Sequence, residues 1–240
     1  MTGIKRPKAA MILAAGLGTR MRPLTDDRPK VLVSINGLPL IDRALERLYE
    51  VGVERIVVNV HHHAEMLVSH LAQRNQAEIR VSDESNELLD TGGGIARALP
   101  LLHRECFYAV NGDVVWLDGV ANTLDRLANR WDAASMDALL LVELCPRAVG
   151  YAGVGDFMMD ACGLLRRRQE REVAPYVYAG IQILHRRLFE LCPPGAFSLN
   201  LLYDRAIEGG RLFGLCHDGL WLHVGTPEGL SAAETALAEL

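Results

Sequence analysis

The sequence has no cysteine pairing to build on. Its five cysteines, Cys106, Cys145, Cys162, Cys192 and Cys216, are scattered and odd in number, and the nearest two, Cys145 and Cys162, stand 17 residues apart. That spacing gives neither a disulfide framework nor a CxxC metal or redox motif, so a reducing, cytoplasmic setting is expected. Nowhere do 18 consecutive apolar residues occur, and no helical membrane span is expected. An excess of positive charge is also missing: 25 Lys plus Arg stand against 30 Asp plus Glu, a net charge of −5. A general nucleic-acid binder needs a basic face over the phosphates, so that class is excluded, and any anion must meet a local basic pocket. Repeats, linkers and low-complexity stretches are absent too, and residues 1–240 read as a single domain with ample core.

What is present is an alternation of apolar, β-branched stretches with amphipathic ones. KAAMIL, RIVVNV, AEIRVSD and CFYAVN read as strands; LIDRALERLYEVG, AEMLVSHLAQR and GGIARALPLL read as the helices between them. Strand, helix, strand repeated in this way implies right-handed crossovers and a mainly parallel sheet covered on both faces. Ligands in such folds sit at the carboxyl ends of the strands. That places the loop after Leu13, the DTGGG turn and the triplet Asn111–Asp113 on one rim. Beyond Asp113 the pattern loosens. A helix (LDGVANTLDRLANRW) leads to a strand (DALLLVEL), and GYAGVGDF and YVYAGIQIL read as strands of an antiparallel excursion. A short helix from His185, another over 199–208 and a closing helix from Pro227, with Thr226 as N-cap, complete the chain.

The most motif-like segment is LAAGLGTRMRPLTDDRPK, residues 13–30. The stretch IKRPKAAMILAAGLG that opens into it has the basic start and short apolar run of a signal peptide, but a run that feeds directly into this loop reads as a strand. No GxxxxGK[ST] string occurs, and GxGxxG is met only at Gly16 and Gly18, because Met21 stands where the third glycine belongs. What remains is a glycine-rich turn whose N–H groups can line an anion nest, followed at once by Arg20, Arg22, Arg28 and Lys30. Arg20 can hold a phosphate bidentately and Lys30 supplies a compact charge, while Pro23 and Pro29 restrict the segment between them.

LAAGLGTRMRPLT followed by PKVL closely resembles the signature of the sugar-1-phosphate nucleotidyltransferases. The likeness continues through LIDRALERLYEVGV, VVNVHHHAE, DTGGGI, NGD, YAGIQIL and WLHVGTPE in the family's order. The short length, the NVHH segment and the TGGG turn are most similar to the family's N-acetylmuramate-1-phosphate uridylyltransferase branch. The resemblance implies a three-layer α/β/α, Rossmann-like nucleotidyltransferase fold with a mostly parallel central sheet and a small antiparallel excursion. It implies attack of a sugar 1-phosphate oxygen on the α-phosphorus of a nucleoside triphosphate, with pyrophosphate leaving. The pair expected is UTP with N-acetylmuramate 1-phosphate, a reaction of peptidoglycan recycling. Mannose 1-phosphate with GTP, or another hexose 1-phosphate, is the enzymatic alternative, and a nucleotide-sugar-binding regulatory protein with impaired catalysis the alternative of another class. A monomer or small homo-oligomer is expected.

Bringing two polyanions together calls for positioning and cations more than covalent chemistry. The resemblance assigns Arg20, Lys30 and Asp113 as catalytic, and Ala14, Ala15, Gly16, Gly18, Thr19, Arg20, Glu87, Gly92 and Asn111 to the nucleotide, Glu87 as acceptor from the base. Arg22 reads as structural. Asn111, Gly153, Tyr178 and Gly180 are assigned to the sugar, although Tyr178 stands where relatives carry Asn. A further Lys that meets the sugar phosphate is missing, with Arg166 to Arg168 or Arg171 as substitutes. Asp90 is available to cap the DTGGG helix. Mg²⁺ is expected, held by Asp113. Where the family's second acidic ligand stands in WxDxGT, this chain has His223 as the candidate second metal residue, with three outcomes open: Asp113, phosphates and waters hold the metal while His223 binds a water or phosphate; Mn²⁺ or Co²⁺ works better than Mg²⁺; or catalysis is impaired. His61, His62 and His63 read as a strand-to-helix turn near the rim rather than a metal site.

Overall fold

The computed structural model describes residues 5–240; Ile4, where the stretch weighed above as a signal peptide begins, lies outside them. In chain order the strands are β1 (Ala9–Leu13), β2 (Ser34–Ile35), β3 (Leu38–Pro39), β4 (Arg55–Val60), β5 (Glu78–Asp83), β6 (Cys106–Asn111), β7 (Val114–Leu117), β8 (Ala138–Leu144), β9 (Phe157–Met159), β10 (Leu165–Arg167), β11 (Tyr176–His185), β12 (Leu212–Cys216) and β13 (Leu220–His223). The helices are α1 (Leu40–Glu50), α2 (Ala64–Leu71), α3 (Asp90–Leu102), α4 (Thr123–Arg130), α5 (Asn200–Glu208) and α6 (Pro227–Ala238).

Strands β5, β4, β1 and β6 lie side by side and parallel. Strand β11 adds antiparallel to β6, β8 antiparallel to β11, and β12 parallel to β8. The hairpin β9–β10 continues along β11 through Tyr176, which lies opposite Phe157. The expected α/β architecture, a mostly parallel sheet with antiparallel parts, is therefore the one observed. Its central strands β1, β4 and β6 are predominantly apolar because both faces are covered, with Arg55, Asn59 and Asn111 at or near strand ends. In β1 the alternation is direct: Ala10 and Ile12 pack with Ile41, Leu45 and Leu48 of α1, whereas Ala9 and Met11 pack with Ile95, Ala98 and Leu102 of α3. A third cluster, Met21, Val33, Ile35, Leu40, Val115, Leu222, Val224 and Ala233, joins the loop after β1 to the small β7–β13 sheet and α6.

Local signals set the helix ends. Asn122 caps α4 by accepting from Leu124 and Asp125 N–H, and Thr226 caps α6 by accepting from Gly229 N–H with Pro227 at the first position. Two expectations are corrected. GYAGVGDF forms no strand before Phe157: Gly150 and Gly155 take φ of 76° and 78°, and Tyr151 folds back so that its hydroxyl accepts from Gly155 N–H. Asp90 is not the cap of α3. It is the first helical residue, at φ 58°, and its carboxylate accepts from the adjacent Thr91 N–H instead.

Glu143 of β8 is fully buried; its Oε1 accepts from Leu144 N–H, while Oε2 has no partner among the described residues. Burial pushes its pKa up, against the weaker pull of that bond and of Arg147. The folded chain thus holds its proton at pH values where the unfolded chain has lost it, so stability is full below the ordinary carboxylate range and declines as pH rises through the raised value. The difference in stability between wild type and Glu143→Gln, from denaturant melts across pH 4–8, should move against the wild type as pH rises; a difference that does not change with pH would remove Glu143 as its cause.

Candidate active site

The carboxyl ends of β1, β4, β5 and β6 open onto one cleft of about 390 Å³, lined by Leu13, Ala14, Ala15, Gly16, Lys30, Val31, Asn59, Glu84, Leu88, Asp90, Thr91, Asn111 and Asp113. A second lobe of about 320 Å³ shares Gly16, Lys30, Leu88 and Asp113 with it and continues past Gly18, Thr19 and Arg20 to Gly225. The three segments placed on one rim by the strand pattern therefore do meet.

The loop between β1 and β2 is shaped from within. Gly18 takes φ 68°, and a Cβ there would lie 3.0 Å from Thr25 Cγ2 and 3.3 Å from Lys30 Cβ. Buried Thr25 donates its hydroxyl to Gly18 O at 2.9 Å. Met21, fully buried in the third cluster, anchors the turn from below, which explains why a large apolar residue occupies the place of a third glycine. Ala14 N–H donates to Asn59 Oδ1 at 2.7 Å. The N–H groups of Ala15, Gly16 and Leu17 find no acceptor among the described residues, which leaves them available to solvent or to an anion.

The cations divide cleanly. Arg22 pairs with Asp26 at 3.4 Å and Arg28 with Asp27 at 2.9 Å, both in solvent. Arg20 is exposed and has no ion-pair partner among the described residues. Lys30 is the anchored one: its side chain is 11% exposed and its Nζ donates to Asp113 Oδ2 at 2.6 Å.

Other assigned residues fall less uniformly. Asn111 lines the cleft and packs beneath Gly180, where φ is 77° and a Cβ would lie 2.5 Å from Val114 Cγ1 and 3.2 Å from Asn111 Nδ2. Glu87 is exposed and does not line the cleft, whereas Glu84, three residues earlier, does. Gly92 is a packing glycine: its N–H donates to Phe197 O at 2.9 Å, and a Cβ would collide with the Phe197 ring. Gly153 lies on the exposed loop against Tyr151. Tyr178 turns its hydroxyl into a desolvated interior beside Tyr203, which raises its pKa, so it does not reach the cleft. Arg166 and Arg167 are engaged by Glu172 and Asp204, and Arg168 by the carbonyls of Gln169 and Glu172; none of them, nor Arg171, lines the cleft. His61–His63 form the β4–α2 turn, with His61 Nδ1 2.7 Å from Glu84 O.

His223 ends β13 opposite Val114, next in sequence to Asp113. Its ring stands edge-on to Tyr151 and folds over Gly225, where a Cβ would collide with Nε2. Burial, reinforced by Lys30 and Arg20 and opposed by Asp113, lowers its pKa, so the ring is neutral at neutral pH. Gly225, not His223, lines the cleft. Among the described residues no three His, Cys, Asp or Glu side chains gather as a metal cluster. Asp113, which shares the cleft with Lys30 and the loop after β1, offers a carboxylate of the kind a hard divalent cation takes, completed by phosphate oxygens and water.

Asn59 and Glu84 were missed as site residues in the sequence, although each carries a signal: an Asn near the end of an otherwise apolar strand, and a Glu directly after β5. They are 2% and 1% exposed and bonded to each other, Asn59 Nδ2 to Glu84 Oε1, at 2.8 Å.

Comparison with known proteins agrees with this fold. A family model described as "Nucleotidyl transferase" matches residues 9–155. The chain is 43% identical to the N-acetylmuramate alpha-1-phosphate uridylyltransferase of Caulobacter vibrioides, over 97% of this chain and 98% of that protein. It is 34% identical to the enzyme of the same name from Neisseria meningitidis serogroup B, over 90% and 93%. The crystal structure of HddC from Yersinia pseudotuberculosis superposes with a TM-score of 0.76 over 95% of this chain and 99% of that one, at 24% identity, a likeness of fold.

The packing role of Gly92 can be checked by a cycle. Gly92→Ala should cost about 1–3 kcal/mol of stability by overpacking, and the cost should shrink in a Phe197→Ala background. Equal costs in both backgrounds would show that the ring is not what excludes a side chain.

Proposed function

The chain belongs to the nucleotidyl transferase family, and from that premise we propose that it transfers a uridylyl group from UTP to N-acetylmuramate 1-phosphate, releasing pyrophosphate and forming the UDP-sugar. This is a step of peptidoglycan recycling, in a reducing cytoplasm that suits five free cysteines. The observation that carries the reading is near-full-length identity of 43% to a protein of that name, and a cleft lined by Lys30 and Arg20 supports it.

The residues divide the work as follows. The unpaired amides of Ala15, Gly16 and Leu17 and the Thr19 hydroxyl receive the triphosphate. Arg20, exposed at the outer lobe, meets the α-phosphate and the departing pyrophosphate. Lys30, held on the inner side by Asp113, bridges the α-phosphate and the sugar phosphate. Asn111 and Gly180 form the floor on the sugar side. Mg²⁺, when bound, neutralises phosphate charge and so lowers the repulsion between the two substrates. Asp113 would hold it with phosphate oxygens and water, and His223, packed behind Gly225, shapes the wall without ligating it.

Pyrophosphate release measured over the four nucleoside triphosphates and a panel of sugar 1-phosphates tests the assignment. UTP with N-acetylmuramate 1-phosphate should give the highest kcat/KM; preference for GTP with mannose 1-phosphate would replace it. Asp113→Ala and removal of divalent metal should each bring turnover to background with the fold intact. Arg20→Ala should lower kcat about 100-fold with little change in sugar-phosphate KM, and the opposite split would move Arg20 to the sugar.

A further inference from the structure

The cleft floor contains a buried polar pair that none of these roles uses. Asn59 lies near the end of β4 and Glu84 follows β5, and both side chains are almost wholly excluded from solvent. Their hydrogen bonds form a continuous chain: Ala14 N–H to Asn59 Oδ1 at 2.7 Å, Asn59 Nδ2 to Glu84 Oε1 at 2.8 Å, and Leu89 N–H to Glu84 Oε2 at 3.2 Å. The amide orientation of Asn59 is fixed by this pattern, since its oxygen must face the Ala14 donor and its nitrogen the carboxylate. Gly94 of α3 presses on the pair, where a Cβ would lie 2.8 Å from Glu84 Oε1 and 3.0 Å from Asn59 Nδ2. The chain thus links the end of β1, the end of β4, the segment after β5 and the entry to α3, which are the four pieces that form one side of the cleft.

We propose that Asn59 and Glu84 are positioning residues for the nucleotide: by taking up the N–H of Ala14 they fix the peptide at which the glycine turn departs, and so hold the next three amides, of Ala15, Gly16 and Leu17, unpaired and ready for the ligand. The inference rests on the nucleotide-transfer reading above and adds to it the pair that presets the loop. Neither side chain touches reacting atoms. Preorganisation of this kind acts on binding of the ligand the loop receives and leaves the sugar side untouched.

The hydrogen-bond chain can be reversed without being lengthened. Asn59→Asp still accepts from Ala14 but sets two carboxylates against each other, and Glu84→Gln still accepts from Leu89 through its oxygen. Together they restore the link, with the amide introduced at position 84 now donating to the carboxylate introduced at position 59.

The test measures the dissociation constant of UTP by calorimetry, without sugar phosphate, for wild type, Asn59→Asp, Glu84→Gln and the double variant, with steady-state KM for both substrates alongside. Asn59→Asp should weaken UTP about tenfold, the effect of one buried bond lost, with sugar-phosphate KM changed less than about threefold. The double variant should return to within about threefold of wild type. A double variant no better than Asn59→Asp, or a loss shared equally between the two substrates, overturns the proposal.

If Asn59→Asp does not fold, the wild type decides by amide hydrogen exchange: Ala14 should be protected without nucleotide, and Ala15, Gly16 and Leu17 only after UTP is added. Rapid exchange at Ala14 in the free protein overturns the proposal. Wild type that binds UTP yet gives no product with N-acetylmuramate 1-phosphate would contradict the substrate assignment and leave this test standing.

Discussion

The short run of buried hydrogen bonds from Ala14 through Asn59 and Glu84 to Leu89 is the constraint on which the site depends. In a low-dielectric interior such bonds are strong when complete and costly when broken, so a fully satisfied pair specifies one arrangement of the segments that carry it. Here those segments approach from three parallel strands and a helix. Beside these bonds, the end of β4 and the segment after β5 are joined by Glu84 N–H to Val60 O and by His61 Nδ1 against Glu84 O. Because Ala14 is tied down, the loop begins its turn from a fixed point; because Met21 is buried and Thr25 holds Gly18, it also returns to one. The glycines between are free to expose their backbone without making the loop slack.

The second requirement is electrostatic. A chain of net charge −5 must concentrate its cations where it needs them, and the loop does so by selective pairing. Arg22 and Arg28 are matched by Asp26 and Asp27 in solvent, where such pairs contribute little to stability. Arg20 is left for a mobile ligand. Lys30 is drawn inward by Asp113 across 83 residues of sequence, which places a cation and a carboxylate side by side at the junction of the two cleft lobes. Phosphates need the first and a divalent cation the second, and the pair keeps the site nearly neutral when both are absent.

Much of this was legible in the sequence, and the reasons are local. The apolar runs of β1, β4 and β6 identify themselves because both faces are covered, and Thr226–Pro227 announces α6. The loop LAAGLGTRMRPLT carries its chemistry in contiguous residues. What was not legible depends on distance. Gly92 reads as a backbone approach to a ligand until Phe197, far along the chain, is seen to occupy its place. Glu84 and Glu87 stand close together in sequence, and only the turn after β5 decides which enters the cleft. Tyr178 points inward because Tyr203 of α5 receives its ring, and the arginines after β10 are engaged by acids and carbonyls that no spacing rule could pair.

That this cleft joins a uridylyl group to a sugar phosphate is tested most directly by phosphorus NMR of the wild-type protein with UTP, N-acetylmuramate 1-phosphate and Mg²⁺. The triphosphate and monoester resonances should decline together while a pyrophosphate diester and free pyrophosphate appear in equal amounts. Bound UTP that persists unchanged beside the sugar phosphate, with no diester formed, would contradict it.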